Sequence, residues 1–75
     1  LYRGGLAMLA HGDLTRAEQY LASALRAGHD ERATLKALLV TTVRASRLRS
    51  ALGYAQPYLA SHPRDHALRL LVASI

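Results

Sequence analysis

Apolar residues recur along this chain at the three- and four-residue spacing of helices, and glycine, proline or acidic residues separate the apolar stretches. The pattern predicts five helices. They run from residue 1 to the Gly12-Asp13 turn, from about 15 to 27, from about 31 to 45, from about 48 to 60, and from 66 to the end.

Residues at the predicted helix ends suit their positions. Thr15 and Glu18 match a capping box, in which the hydroxyl and the carboxylate each accept a hydrogen bond from a backbone amide. Gly28 suits a left-handed C-cap. Asp30 and Asp65 are predicted N-caps for the third and fifth helices.

Helix-weakening residues inside two predicted helices need a separate explanation. Adjacent Gly4 and Gly5 cost about 1 kcal/mol each relative to Ala, and we interpret them as the place where the second helix packs closely. Pro57 predicts a kink in the fourth helix rather than a break, since Gly53, four residues earlier, has no side chain to add to the crowding. The His62-Pro63 pair is expected to end that helix.

A shift of 34 positions aligns the chain with itself. It pairs Leu1 with Leu35, Leu14 with Leu48, Ala17 with Ala51, Tyr20 with Tyr54, Leu25 with Leu59 and Ala33 with Ala67. We therefore predict one all-α domain over 1–75, with a first repeat at 1–31, a second at 32–65 and the start of a third helix pair at 66–75.

Helix pairs at this period, with small residues where helices cross, resemble the tetratricopeptide repeat. The first unit carries the resemblance at Leu1, Gly4, Gly5, Met8, Ala17, Leu21 and Ala24, and the second at Leu35, Leu38, Leu39, Thr42, Ala51, Ala55, Tyr58 and Pro63. The resemblance implies antiparallel helix pairs in a right-handed superhelix of about two repeats plus one extra helix. It also implies that the repeats pack through Gly5, Ala17, Leu21, Ala24, Ala51, Ala55 and Pro63.

In this family the first helix of each pair lines a concave face, so the resemblance also implies a ligand groove. The candidate groove residues are Tyr2, Arg3, Leu6, Leu9, Lys36, Val40, Val43, Arg44 and Leu70. They form an apolar floor with a basic rim, which suits an amphipathic helix or apolar segment of another polypeptide. Alternatively, the apolar members pack against neighbouring helices or a following repeat.

The charge balance bears on the partner. The net charge of +5 favours an acidic partner or a polyanion. Arg44, Arg47 and Arg49 lie close together at the third turn, but no aromatic residue is interleaved with them to stack bases, so nucleic acid is not favoured. The Ala-, Leu- and Arg-rich composition is bacterial-like.

Other classes of site find little support in the sequence. The chain has no cysteine, and Pro63 separates His62 from His66, so we expect no metal and no cofactor. The five acidic residues occupy helix starts or first turns, so we expect no enzyme. The longest apolar run is far too short to span a membrane, and the compartment stays open, with the cytoplasm favoured.

We expect a protein–protein interaction module, such as an adaptor or a small secretion chaperone. The alternative is an oligomerisation or regulatory segment of a larger enzyme or transcription regulator, with a homo-oligomer as the assembled form. The apolar end, residues 70–75, agrees with either, since it favours a covering partner or a second copy. A start at Leu1 rather than Met suggests a piece of a longer chain.

Overall fold

The computed structural model describes residues 2–75, and within this range the chain is all-helical with no strand. The helices are α1 (Tyr2–Ala10), α2 (Leu14–Arg26), α3 (Glu31–Arg44), α4 (Leu48–Ser61) and α5 (His66–Ala73), and consecutive helices pack together. Each predicted helix is present, with bounds that differ by at most two or three residues. Leu1, the predicted first residue of the first helix, lies outside the described residues.

Three of the four turns share one capping geometry. After α1, α2 and α3, a residue with positive φ turns the chain out of the helix: Gly12 at 80°, Gly28 at 82° and Ser46 at 59°. The next amide then bonds a carbonyl five residues back, as His29 N does to Ala24 O at 3.1 Å. This is the Schellman motif. Gly28 is confirmed as a left-handed cap, whereas Ser46 holds the same conformation with a side chain that disfavours it.

Aspartates begin three of the helices. Asp13, Asp30 and Asp65 accept hydrogen bonds from the amides three residues ahead at 3.2, 3.3 and 3.1 Å, which confirms the predictions for Asp30 and Asp65. The capping box of Thr15 and Glu18 is wrong, because Asp13 already caps α2 from two positions upstream. The Glu18 carboxylate instead bonds side chains that follow α3.

The fourth helix continues through its proline. α4 includes Pro57 and extends to Ser61, so the helix does not break there, as predicted. A Cβ built at Gly53 would meet no atom within 4 Å other than the neighbouring backbone of its own helix. The missing side chain at Gly53 therefore does not explain how α4 accommodates the proline ring.

The paired glycines of α1 lie against α2, as the sequence predicts. A Cβ at Gly5 would lie only 2.6 Å from Leu21 Cγ, and one at Gly4 would lie 3.3 Å from Tyr20 Cδ2. Leu21 is fully buried, as is Ala17 one turn earlier on α2. Gly5 is thus required by the close approach of the two helices.

Two apolar clusters form the core, and each joins consecutive helices. The first cluster joins α3, α4 and α5 through Leu35, Leu39, Ala51, Ala55, Tyr58 and Leu68, and the second joins α2 and α3 through Leu21, Ala22 and Leu38. The small residues predicted to pack the repeats, Ala17, Ala24, Ala51 and Ala55, are all buried. Pro63, predicted to join them, is exposed in the α4–α5 turn, where its carbonyl accepts a hydrogen bond from Arg69 at 3.0 Å.

The distance in sequence between equivalent helix starts is close to the 34-residue period of the sequence. α2 begins at Leu14 and α4 at Leu48, 34 positions later, whereas α3 begins at Glu31 and α5 at His66, 35 positions later. The extra position arises because α4 has 14 residues and α2 has 13.

Candidate binding cleft

An apolar cleft of about 350 Å³ opens between α3, the first residue of α4 and the end of the chain beyond α5. Its lining residues are Leu39, Val40, Val43, Arg44, Leu48, Leu71, Ser74 and Ile75, and we call it the α3–α5 cleft. Val40 is 46% exposed and Leu48 is 45% exposed, although both have apolar neighbours in the lining. The volume is at the lower end of the ~300–1,000 Å³ of ligand sites, which gives room for a few side chains rather than a whole helix.

The start of α5 is tied to both preceding helices by one carboxylate. Asp65 accepts hydrogen bonds from Arg32 Nε of α3 at 2.9 Å and from the Tyr58 hydroxyl of α4 at 2.6 Å. It also caps α5 at the Leu68 amide, and the Leu68 side chain is fully buried. Asp65 therefore sets the position from which α5 runs along the cleft.

The bonds to Asp65 also fix its ionisation. Hydrogen bonds from Arg32, from Tyr58 and from the Leu68 amide hold the pKa of the Asp65 carboxyl well below its usual range. The hydrogen bond to Asp65 in turn raises the pKa of the Tyr58 hydroxyl, with burial as the second cause. At neutral pH the carboxylate is charged and the hydroxyl keeps its proton, so this cluster holds helices together and has no free group for acid–base chemistry.

The rest of α5, beyond its first turn, packs less extensively against the other helices. Val72 and Ile75 pack against the core cluster of α3 and α4, but contact between α4 and α5 is the sparsest between consecutive helices. Leu70 is 69% exposed and Leu71 is 39% exposed. One wall of the cleft is therefore a helix with apolar side chains facing solvent.

The rim of the cleft on α3 is basic. Arg44 lines the cleft, and Lys36 lies exposed on the same helix face, one turn before Val40. Within the described residues, α1 and α5 contain no acidic residue, and α3 contains only Glu31 in its first turn. The Glu31 carboxylate lies 3.9 Å from His62 Nε2, at the opposite end of α3 from the cleft.

The predicted groove residues divide between two clefts rather than one. Val40, Val43 and Arg44 line the α3–α5 cleft, whereas Tyr2, Arg3 and Leu6 line a second cleft of about 550 Å³ with His29. In the second cleft the Tyr2 and His29 rings lie tilted with centroids 4.7 Å apart. Leu9, Lys36 and Leu70 line neither cleft, and Leu9 is half-buried.

Five lining residues are absent from the predicted set: Leu39, Leu48, Leu71, Ser74 and Ile75. Leu48 reaches the cleft because the turn between α3 and α4 has only three residues, which places the start of α4 beside the end of α3. The short turn is visible in the sequence and could have indicated Leu48. Ser74 and Ile75 follow α5, and no pattern in the sequence places them.

A third, polar cleft of about 530 Å³ lies between α2 and α4. In it Arg47 Nη1 donates to Glu18 Oε1 at 2.8 Å, and the Tyr54 hydroxyl donates to Glu18 Oε2 at 3.0 Å. Burial, followed by the hydrogen bond to Glu18, raises the pKa of Tyr54. Both Glu18 oxygens are thus engaged in joining α2 to the start and middle of α4.

Neither a metal cluster nor a membrane span is found in residues 2–75. No group of three or more His, Asp or Glu residues in this range could hold a metal ion, and the His62 ring stacks on Tyr58 with centroids 4.2 Å apart. No helix among those described is long and apolar enough to cross a bilayer.

Comparisons of this chain with known proteins found no relative. No family model matches the sequence, and neither the curated proteins nor the solved structures contain a match. The argument about function therefore depends on the geometry of this chain.

Proposed function

We propose that this chain is a tetratricopeptide-like interaction module that holds an apolar segment of another polypeptide in the α3–α5 cleft, without catalysis. The observation that carries the proposal is the cleft itself, in which six of the eight lining residues are apolar. Val40, Val43 and Leu71 keep 39–46% of their surface exposed there. Apolar surface gathered in a concave site favours a partner that removes it from water.

The size and shape of the cleft favour side chains of a polypeptide over a small polar molecule. An amphipathic helix places apolar side chains at i, i+3, i+4 and i+7 on one face, which is the usual way a helix binds a hydrophobic groove. A few such side chains would fill the 350 Å³, while the helix itself lies along α3 and α5. An adaptor or a small chaperone would use the site in this way.

The arrangement of the polar groups also supports a binding role. Asp13, Asp30 and Asp65 cap helices, and Glu18 bonds Arg47 and Tyr54. Each of these carboxylates therefore has a structural partner, whereas the α3–α5 cleft contains no carboxylate, histidine or tyrosine in its lining.

A charge placed in the cleft tests the proposal. Val40→Glu should abolish binding of synthetic amphipathic helical peptides, measured by fluorescence anisotropy, because it introduces a carboxylate into the apolar floor. Leu52→Glu is the matched control, since Leu52 is 39% exposed on α4 and does not line the cleft. Circular dichroism should show both variants helical, and Val40→Ser replaces Val40→Glu if the latter unfolds.

Two results would count against the cleft as the binding site. One is equal peptide affinity for Val40→Glu and the unaltered chain, and the other is an equal loss for both Glu variants. Unfolding of both Val40 variants would place this side chain in the core rather than in a groove.

A second candidate function is assembly, for which the exposure of Leu70 is the specific observation. Leu70 is 69% exposed on α5 and lies outside the cleft lining, so a second copy could cover it. Light scattering decides between the two functions. A concentration-dependent dimer that Leu70→Glu converts to a monomer would make this surface an oligomerisation surface of a larger regulatory protein.

A further inference from the structure

We infer that the segment bound in the α3–α5 cleft is an acidic amphipathic helix, whose apolar face fills the cleft and whose carboxylates meet Arg44 and Lys36. This inference rests on the proposed function and specifies the chemistry of the partner. It follows from where the charges lie, from their spacing, and from the poor fit of the other occupants.

The first step is the separation of acidic residues from the cleft. Glu18 is hydrogen-bonded to Arg47 at 2.8 Å in the polar cleft, and Asp65 is hydrogen-bonded to Arg32 at 2.9 Å, one turn before Lys36 on α3 and outside the lining of the α3–α5 cleft. Arg44 therefore has no carboxylate of this chain beside it in the cleft lining, and α3 itself carries no acidic residue after Glu31. A partner that supplies carboxylates would complete this rim, whereas a basic partner would be repelled.

The second step is the spacing along α3. Lys36, Val40 and Arg44 are four residues apart, so they lie on one face and the two cations are separated by about 12 Å along the helix axis. A partner helix has the same rise, so acidic residues seven or eight positions apart match the two cations. Apolar residues between them, at i+3 and i+4, then face Val40 and the cleft.

The third step is the comparison with other occupants. A second copy of this chain would bring another net charge of +5 and the same basic rim to the site. A nucleic acid would find the two cations separated by an apolar floor, without an aromatic side chain in the lining on which to stack a base. Only a partner with both acidic and apolar side chains can pair with the cations at the rim and cover the apolar floor.

The experiment uses three helical peptides of about 14 residues, or four turns, that share one apolar face. Their two flanking positions, eight residues apart, carry Glu, Gln or Lys. We expect the Glu peptide to bind about 2- to 30-fold more tightly than the Gln peptide, and the Lys peptide to bind most weakly, because each rim pair contributes modestly. Added salt should reduce this preference.

Charge reversal in the protein then locates the effect. Arg44→Glu should remove the preference for the Glu peptide and favour the Lys peptide, and Arg44→Gln serves if the reversal affects folding. Arg64→Glu is the matched control, because Arg64 is exposed in the α4–α5 turn and the net charge changes by the same amount. The control should keep the order of the three peptides.

The outcomes separate the inference from the proposed function. Equal binding of the Glu and Gln peptides would overturn the acidic partner while keeping the cleft as a binding site, and an equal effect of Arg64→Glu and Arg44→Glu would do the same. Competition by a Glu-rich peptide without apolar residues, or by an oligonucleotide, would show that charge alone drives binding and would overturn the inference. Failure of all three peptides to bind would overturn both proposals.

Discussion

The contact between Gly5 and Leu21 offers the sharpest test of how α1 packs on α2. Gly5→Ala would place a Cβ 2.6 Å from Leu21 Cγ and 2.7 Å from Leu21 Cδ2, where carbon atoms normally stay about 3.5–4.0 Å apart. Leu21 is fully buried, and its backbone N would lie 3.3 Å from the new atom. Because Leu21 is enclosed, relief of this contact requires its side chain to shift within the core or α1 to move away from α2.

Two effects of opposite sign determine the stability of this variant. Replacing Gly by Ala inside a helix stabilises by about 0.8–1 kcal/mol, whereas overpacking a helix crossing costs about 1–3 kcal/mol. The net loss is therefore about 0–2 kcal/mol. Gly53→Ala isolates the first effect, because Gly53 lies in the interior of α4 with no atom within 4 Å of a built Cβ other than the neighbouring backbone of its own helix.

Thermal unfolding followed by circular dichroism measures the difference. At about 4–8 °C per kcal/mol for a domain of this size, the overpacking cost of about 1–3 kcal/mol should make Gly5→Ala melt about 4–24 °C below Gly53→Ala, while Gly53→Ala melts above the unaltered chain. Gly4→Ala should fall between them, because its Cβ would lie 3.3 Å from the partly exposed ring of Tyr20. Equal stabilisation by Gly5→Ala and Gly53→Ala would refute the close helix crossing at Gly5.

Two further predictions concern the strained turn at Ser46 and the inter-helix hydrogen bonds of Asp65. Ser46→Gly should stabilise by about 1 kcal/mol in urea unfolding, because Ser46 holds φ 59° and a glycine adopts this conformation without strain; an unchanged midpoint would contradict that reading. Asp65→Asn should lower stability at neutral pH, because it removes the charged partner of Arg32. The folded-state pKa of Asp65 is depressed, so its contribution is fully present above the unfolded-state value of about 3.9 and is lost as pH falls below it. The stabilities of the variant and the unaltered chain should therefore begin to converge at about pH 4 and meet as pH falls through the depressed folded-state pKa, and a stability difference that does not change with pH would contradict the proposed role of Asp65.

Local signals explain why the helices could be predicted. Gly28, Asp30 and Asp65 act as helix caps within one turn of their own position, so the sequence around them determines these capping roles. The bonds of Asp65 to Arg32 and Tyr58 join it to other helices, and no local signal indicates them. The prediction at Thr15 and Glu18 also used a local signal, and it is wrong because Asp13, two residues before Thr15, is an N-cap residue type as well. Asp13 is the N-cap because the left-handed turn at Gly12 places it directly before the first residue of α2.

The site was only partly predictable because it depends on contacts distant in sequence. The apolar and basic residues of α3 could be assigned to one face from their spacing, and the structure brings Val40, Val43 and Arg44 together. The division of the groove into two clefts follows from the packing of whole helices. Ile75 enters the lining for the same reason, and no periodicity indicates such contacts.

The tie at Asp65 and the cleft are parts of one arrangement, because both depend on α5. Leu71 contributes one wall of the cleft, and α5 holds that position through Asp65, the buried Leu68 and the packing of Val72. Any ligand that needs this wall binds only the docked form of α5, so its apparent affinity includes the fraction of molecules in which α5 is docked. By the same linkage, a bound ligand stabilises the docked helix. The sparse contact between α4 and α5 thus leaves the last helix as the element whose order a partner would most strengthen.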